Sequence, residues 1–252
     1  MEINNWDAFK TFIEEAIKSR KDYYYRGQLN PNWKLQTSFH RYAEKTNATL
    51  EQYLDIALPE LQYNITSQEN ELFDLEDKKE FGAFLGRLQH HGFPTPLLDW
   101  SLSPYIATFF AFREVDAHSP QVENVKVYIF DYQEWESNFE NILELRSEKN
   151  FLSAFRPFSK RNSRIVPQMG STTMTNINDI EAYIKKREEE LGKTLLYQVT
   201  LPVSDMLNIT NELNLMGINE MTLFPGIDGV CEHFKKFYFN NNIIDETPKL
   251  EE

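Results

Sequence analysis

Residues 88–112 read LQHHGFPTPLLDWSLSPYIATFFAF. Two adjacent histidines, His90 and His91, stand with a glycine, prolines, Asp99 and Trp100 between apolar segments of helical character. A core element has no need of His90, His91 and Asp99 so close together. A loose surface loop has no need of Leu97, Leu98, Trp100 and the aromatic run behind them. Polar groups capable of proton or charge chemistry, held beside a hydrophobic anchor, are what a preorganised site requires. Ser103-Pro104 adds a helix-start signal, with a capping hydroxyl followed by a proline at the first turn. The helix it predicts carries Tyr105, Phe109, Phe110 and Phe112, which with Trp100 read as core.

Outward from this stretch, Trp6, Phe9, Phe12, Ile13, Ala16 and Ile17 recur at helical spacing and predict an amphipathic helix over 5–19. Residues 21–27 (KDYYYRG) predict a strand, because three tyrosines favour the pleat and Gly27 marks a bend or a close backbone approach. Asn30-Pro31-Asn32 is a turn. Residues 49–65 and 78–90 read as helices joined by the acidic stretch 69–77, a solvated connector. Residues 125–130 (VKVYIF) form the clearest strand, with further strands expected at 164–168 and 195–201. A helix over 205–215 stops at Gly217. Residues 221–224 read as a short strand or turn, and 226–239 as a last helix. Neither a repeat nor a Gly/Ser linker divides the chain. The expectation is a single α+β domain over 1–240, with a mixed or antiparallel central sheet flanked by helices and a flexible tail at 241–252.

Bulk properties narrow the function classes. A chain of 252 residues can bury a substantial core, and 19 Phe with 12 Tyr make that core aromatic-rich. The net charge of −13 repels polyanions at long range, so a general grip on nucleic acid is disfavoured. Local basic clusters, Lys160, Arg161 and Arg164 or Lys185, Lys186 and Arg187, can still hold a small phosphate ligand. One cysteine, Cys231, excludes an intramolecular disulfide and a cysteine-built zinc site, and it reads as a packed small hydrophobe. The N-terminus lacks the apolar run of a signal peptide, and no stretch approaches the ~18 apolar residues of a membrane span. A cytoplasmic protein with no membrane partner is expected.

Each candidate site residue has a functional and a structural reading. Arg26, beside Gly27, can reach a phosphate or carboxylate bidentately, because the missing side chain lets a ligand approach the backbone. Alternatively it bridges to a core carboxylate such as Asp99. Arg164 and Gln168 alternate along their expected strand, so they share a face and line one cleft with Arg26. His90 and His91 point in different directions from a helix and lack regularly spaced third and fourth ligands, so no metal is expected. Asp99 either orients the His90 imidazole for acid–base work or caps the helix that Pro104 begins. In that second case His90 is satisfied internally, and His91 reads as surface.

Tyr25-Arg26-Gly27, then Gln89-His90-His91-Gly92-Phe93-Pro94-Thr95 with Leu97-Leu98-Asp99-Trp100, Pro104 and Ala107, resembles the FRG domain, named for its (F/Y)RG motif. Arg164-Ile165 with Gln168 and Gly170, and Leu223-Phe224-Pro225 with Asp228-Gly229, fit the same pattern. The resemblance runs from about Lys21 to Lys236, and Pro96 stands where the family pattern carries Arg. It implies the fold family more firmly than a reaction.

A second, weaker resemblance is to ADP-ribosyltransferases of the Arg-Ser-Glu type, through Arg26, then Ser171-Thr172-Thr173, then Glu220 before an apolar run. That resemblance implies NAD as substrate. Arg26 would hold a pyrophosphate oxygen, with Tyr25, Gly27, Gln89, Arg164 and Gln168 as further cofactor-binding residues. Ser171 and Thr172 would orient Arg26 and the nicotinamide ribose. Glu220 would bind the ribose 2′-hydroxyl and stabilise oxocarbenium character, with His90 and Asp99 as further catalytic candidates. The acceptor would be a protein or a nucleic acid, and the implied setting is bacterial or phage conflict, as a toxin or defence effector. Two other classes stand beside it. One is a non-catalytic nucleotide- or partner-binding module in which the same motifs are structural. The other is a nucleic-acid-processing enzyme working through a local basic patch.

Overall fold

The computed structural model of the protein describes residues 3–69, 72–116, 120–155 and 164–240. Six strands form one sheet: β1 (Tyr24–Gln28), β2 (Leu97–Ser101), β3 (Asn124–Phe130), β4 (Leu152–Phe155), β5 (Gly170–Thr175) and β6 (Leu196–Pro202). Their order is β4-β5-β2-β1-β3-β6, and every neighbouring pair is antiparallel. The fold is therefore α+β with an antiparallel central sheet, as the sequence predicts.

Helices α1 (Trp6–Lys18), α6 (Pro104–Phe112) and α9 (Met206–Leu215) cover one face. There Trp6, Phe9 and Ile13 join Tyr25, Val127, Ile129 and Val199 in a core. The α1 periodicity is what buries that stripe, and Asn5 caps the helix by accepting from the Ala8 amide. Helix α6 begins as expected: Ser103 accepts from the Ile106 amide and Pro104 occupies the first turn. It is apolar on nearly every side because it is wedged between β1 and α9.

On the opposite face, α7 (Tyr132–Asn138) and α8 (Ile180–Leu191) bring Trp135, Ile180 and Ile184 onto Trp100, Tyr128 and Phe130. A third cluster gathers α2 (Ser38–Thr46), α3 (Leu50–Gln52), α4 (Leu58–Glu69) and α5 (Lys78–His90) around Leu97 and Met174. A π-helical turn, Tyr53–Ala57, joins α3 to α4. The chain continues through α10 (Glu220–Leu223) and α11 (Ile227–Lys235). No described helix is long and apolar enough to cross a membrane.

Four local expectations are corrected. Residues 164–168 form successive turns instead of a strand, and the strand they lead into starts at Gly170. Gly170 and Gln168 donate back to the carbonyls of Ile165 and Arg164, which closes the turns locally. Residues 221–224 belong mainly to helix α10, because Asn219 and Thr222 form a reciprocal capping box. Asp99 does not cap α6, because it lies within β2 and Ser103 takes that role. Cys231 is exposed on α11 and not packed. Lys160, Arg161 and the tail at 241–252 lie outside the described residues.

Gly27 makes the close backbone approach expected of it, to a helix and not to a ligand. A Cβ built there would lie 1.9 Å from the Ala107 carbonyl oxygen and 2.5 Å from the Ala111 nitrogen. The absent side chain is what lets α6 dock on β1, and the space it vacates is filled by helix backbone.

Candidate functional site

Strand β1 pairs with β3 along its whole length but meets β2 at Tyr25↔Ser101. Beyond that pair β2 runs with β5, from Ser101↔Gly170 to Leu97↔Met174. The two strands part, and a cleft of about 1900 Å³ is lined by residues of both, together with the end of α5 and the 164–170 turns.

Arg26 bridges the parting strands. Its Nη1 donates to the Asp99 main-chain carbonyl at 2.7 Å, while its buried Nε has no partner among the described residues. Desolvation works against the guanidinium charge, and the Asp99 carboxylate favours it. An arginine stays cationic under such pressure.

Asp99 is held on both oxygens. Gln89 donates its amide to Oδ2, and the Thr172 hydroxyl donates to Oδ1 at 3.3 Å. Gln89 is oriented in turn by the Thr95 hydroxyl, which donates to its carbonyl oxygen. The Thr95 amide donates to Ser38 Oγ at 3.0 Å, which anchors the relay to α2. Desolvation pushes the Asp99 carboxyl above the usual carboxylate range, and Arg26, Gln89 and Thr172 pull part of the way back. The residue nevertheless keeps open surface toward the cleft.

The other expected site residues divide into those the fold assembles and those it separates. Ser171 lines the cleft, is only 3% exposed, and its hydroxyl has no partner among the described residues. Arg164 also lines the cleft, its guanidinium 5.3 Å from the centre of the Phe224 ring. Gln168 is tied up structurally: its amide donates to the Leu223 carbonyl at 3.0 Å, and its own carbonyl accepts from Ser101. His90 and His91 are exposed at the cleft wall with ring centroids 5.2 Å apart. Among the described residues no hydrogen bond joins His90 to Asp99, whose partners are Gln89 and Thr172. Partial desolvation, then the charges of Arg164 and His91, lower the affinity of His90 for a proton. The Tyr25 side chain packs on Tyr23 in the core, where burial pushes its hydroxyl well up.

Glu220 is not among the cleft-lining residues. It is 7% exposed, and its carboxylate lies 2.8 Å from Lys236 and 3.5 Å from His233. Burial opposes its charge, but the Lys236 ammonium holds its carboxyl below the usual range. Since Lys236 also donates to the Arg113 carbonyl at 2.6 Å, Glu220 fastens α10 and the end of α11 to the end of α6.

The cleft reverses the sign of the molecule. Its walls carry seven Lys or Arg against five Asp or Glu, on a chain of net charge −13. Two lining residues, Trp33 and Arg41, have no place in the motifs read from the sequence. Trp33 follows the Asn-Pro-Asn turn and Arg41 lies on α2, a helix the sequence reading did not anticipate. Among the described residues no group of three or more His, Cys, Asp or Glu is placed to hold a metal ion.

Comparison with known proteins bears on the first half of this site. Residues 21–120 match the family model of the FRG domain. No curated protein and no solved structure matches the chain. The matched stretch contains Arg26, Gln89, His90, Asp99 and Trp100, whereas Arg164, Gln168, Ser171, Thr172 and Glu220 lie beyond it. The stretch similar to the FRG domain, about two fifths of the chain, supplies Arg26, Gln89 and Asp99 to the cleft lining.

Proposed function

We propose that the cleft binds a phosphorylated nucleotide of the NAD class and transfers or hydrolyses its ADP-ribosyl group. The observation that carries this reading is a pair of buried, unpartnered polar atoms, Arg26 Nε and Ser171 Oγ, in one positively lined cleft. An unmet donor and an unmet hydroxyl each cost about 1–3 kcal/mol when buried, and a ligand oxygen relieves that cost. In the reaction, the bond between nicotinamide and ribose C1′ breaks and the electron pair leaves with nicotinamide. An acceptor nucleophile or water then bonds to C1′ and gives up a proton. Of the five carboxylates that line the cleft, Asp99 is the one that acts on the Arg26 charge and accepts from Thr172, so it is the group suited to take that proton and to balance oxocarbenium charge. Arg26 takes a phosphate oxygen, with Ser171 and Thr172 orienting it.

One observation favours a second reading, a binding module without turnover. The Arg26 bond to the Asp99 carbonyl ties β1 to β2, which is a structural duty. Incubating the purified protein with labelled NAD and cell lysate separates the two. Nicotinamide release that is lost in Arg26→Lys and Asp99→Asn supports transfer or hydrolysis. Thermal stabilisation by nucleotide without release supports the module. Neither release nor stabilisation rejects both.

A further inference from the structure

Among the four tryptophans, Trp6, Trp100 and Trp135 are 2–3% exposed, whereas Trp33 is 55% exposed on the wall of the cleft. Its backbone is fixed: the Trp33 amide donates to Asn30 at 3.1 Å, and its carbonyl accepts from Gln28 at 2.7 Å. Gln28 is two residues from Arg26 along β1, so the Trp33 backbone is tied to the strand that carries the buried Arg26 Nε. A large aromatic ring on a cleft wall offers a flat face on which a ligand ring can stack.

Arg41 lines the same cleft from α2, with Nη1 donating to the Gln36 carbonyl at 2.7 Å. Its charge bears on Arg26 unfavourably. The Asp99 carboxylate favours the Arg26 charge by more than Arg41 opposes it. Asp99 is engaged by Gln89 and Thr172, and Glu44 accepts from Asn178 at 2.7 Å. Two planar guanidinium forks facing one cavity suit two linked phosphate groups better than one.

We propose that Arg26 and Arg41 form a diphosphate clamp and Trp33 the stacking platform for the base, so that the cleft selects nucleoside diphosphates over monophosphates. This rests on the nucleotide reading of the same cleft.

The test is calorimetric titration of the full chain with ADP, ADP-ribose, AMP and inorganic pyrophosphate, followed also by tryptophan emission. ADP and ADP-ribose are expected to bind about tenfold more tightly than AMP, the scale of one charge-assisted contact. Arg41→Gln is expected to abolish that preference. Trp33→Ala is expected to weaken ADP about tenfold, the scale of one stacked base, and to leave pyrophosphate unchanged. ADP, unlike pyrophosphate, is expected to quench the exposed indole. Equal affinity for ADP and AMP in the parent protein overturns the clamp, as does an unchanged preference in Arg41→Gln. Binding that requires Arg26 yet ignores both Arg41 and Trp33 overturns this proposal and leaves the nucleotide reading standing. No binding of any of the four ligands to the parent protein removes both.

Discussion

The Arg26 guanidinium donates to the main-chain carbonyl of Asp99 at 2.7 Å, across the point where β1 and β2 part. One side chain thus closes the sheet behind it and opens onto the cleft in front. The Asp99 carboxylate remains near enough to favour the arginine's charge while accepting its own hydrogen bonds from Gln89 and Thr172. The structural duty of Arg26 is therefore compatible with the anion-binding role proposed for it.

Removing either partner has unequal consequences. Arg26→Ala deletes the strand bridge and leaves Asp99 without its cation, which costs about 1–3 kcal/mol for an unmet buried acceptor. Asp99→Asn keeps the carbonyl, and removes a charge that burial disfavours, so its cost is smaller. In a double-mutant cycle by urea denaturation, the second change is expected to recover part of the loss from the first. The coupling should be about 0.5–3 kcal/mol. Strict additivity would show that the two charges do not interact.

Gly27→Ala places a methyl 1.9 Å from the Ala107 carbonyl oxygen. Backbone cannot rotate aside as a flexible side chain can, so α6 must move off β1. Overpacking of this kind costs about 3 kcal/mol or more. The variant is expected to melt well below the parent, or to fail to accumulate folded. A melting temperature within a degree or two of the parent would contradict the close helix–strand contact.

Ser171→Ala is expected to leave the unliganded protein as stable as the parent, or more stable by about 1 kcal/mol, because it removes an unmet hydroxyl. The same substitution is expected to weaken nucleotide binding. Denaturation midpoints with and without ADP measure both effects. A loss of stability without ligand would mean that the hydroxyl has a partner in the free protein.

His40 supplies a pH dependence. It is 6% exposed, its Nδ1 lies 2.7 Å from Thr37 Oγ1, and burial lowers its pKa from 6.5 to about 4. The folded state thus favours the neutral ring. Its contribution is full above pH 6.5 and is lost as pH falls through about 4, because the unfolded chain takes up the proton first. The span corresponds to about 3 kcal/mol at most. Denaturation at pH 7 and pH 4.5 should show a loss in the parent that is reduced in His40→Gln. An identical pH response in both would assign the loss to other groups.

Short-range physics was legible in the chain itself. The spacing of Trp6, Phe9 and Ile13 determined α1, Ser103-Pro104 determined where α6 begins, and the run VKVYIF determined β3, because periodicity and capping act within a few residues. The Tyr-Arg-Gly, Gln-His-His-Gly and Leu-Leu-Asp-Trp motifs pointed to Arg26, Gln89 and Asp99, which the fold brings together. Longer-range facts were decided only in three dimensions. Strand-like alternation at Arg164 and Gln168 yielded to local turns, and the apolar run after Glu220 became helix through the Asn219–Thr222 cap. Glu220 was drawn to Lys236, far from Arg26 in the chain, so its partner could not be read from neighbouring residues. Trp33 and Arg41 joined the cleft from segments without a motif, and α6 claimed the space at Gly27. Packing contacts between distant segments choose which strands part, and the part of the sequence near each residue carries no record of that choice.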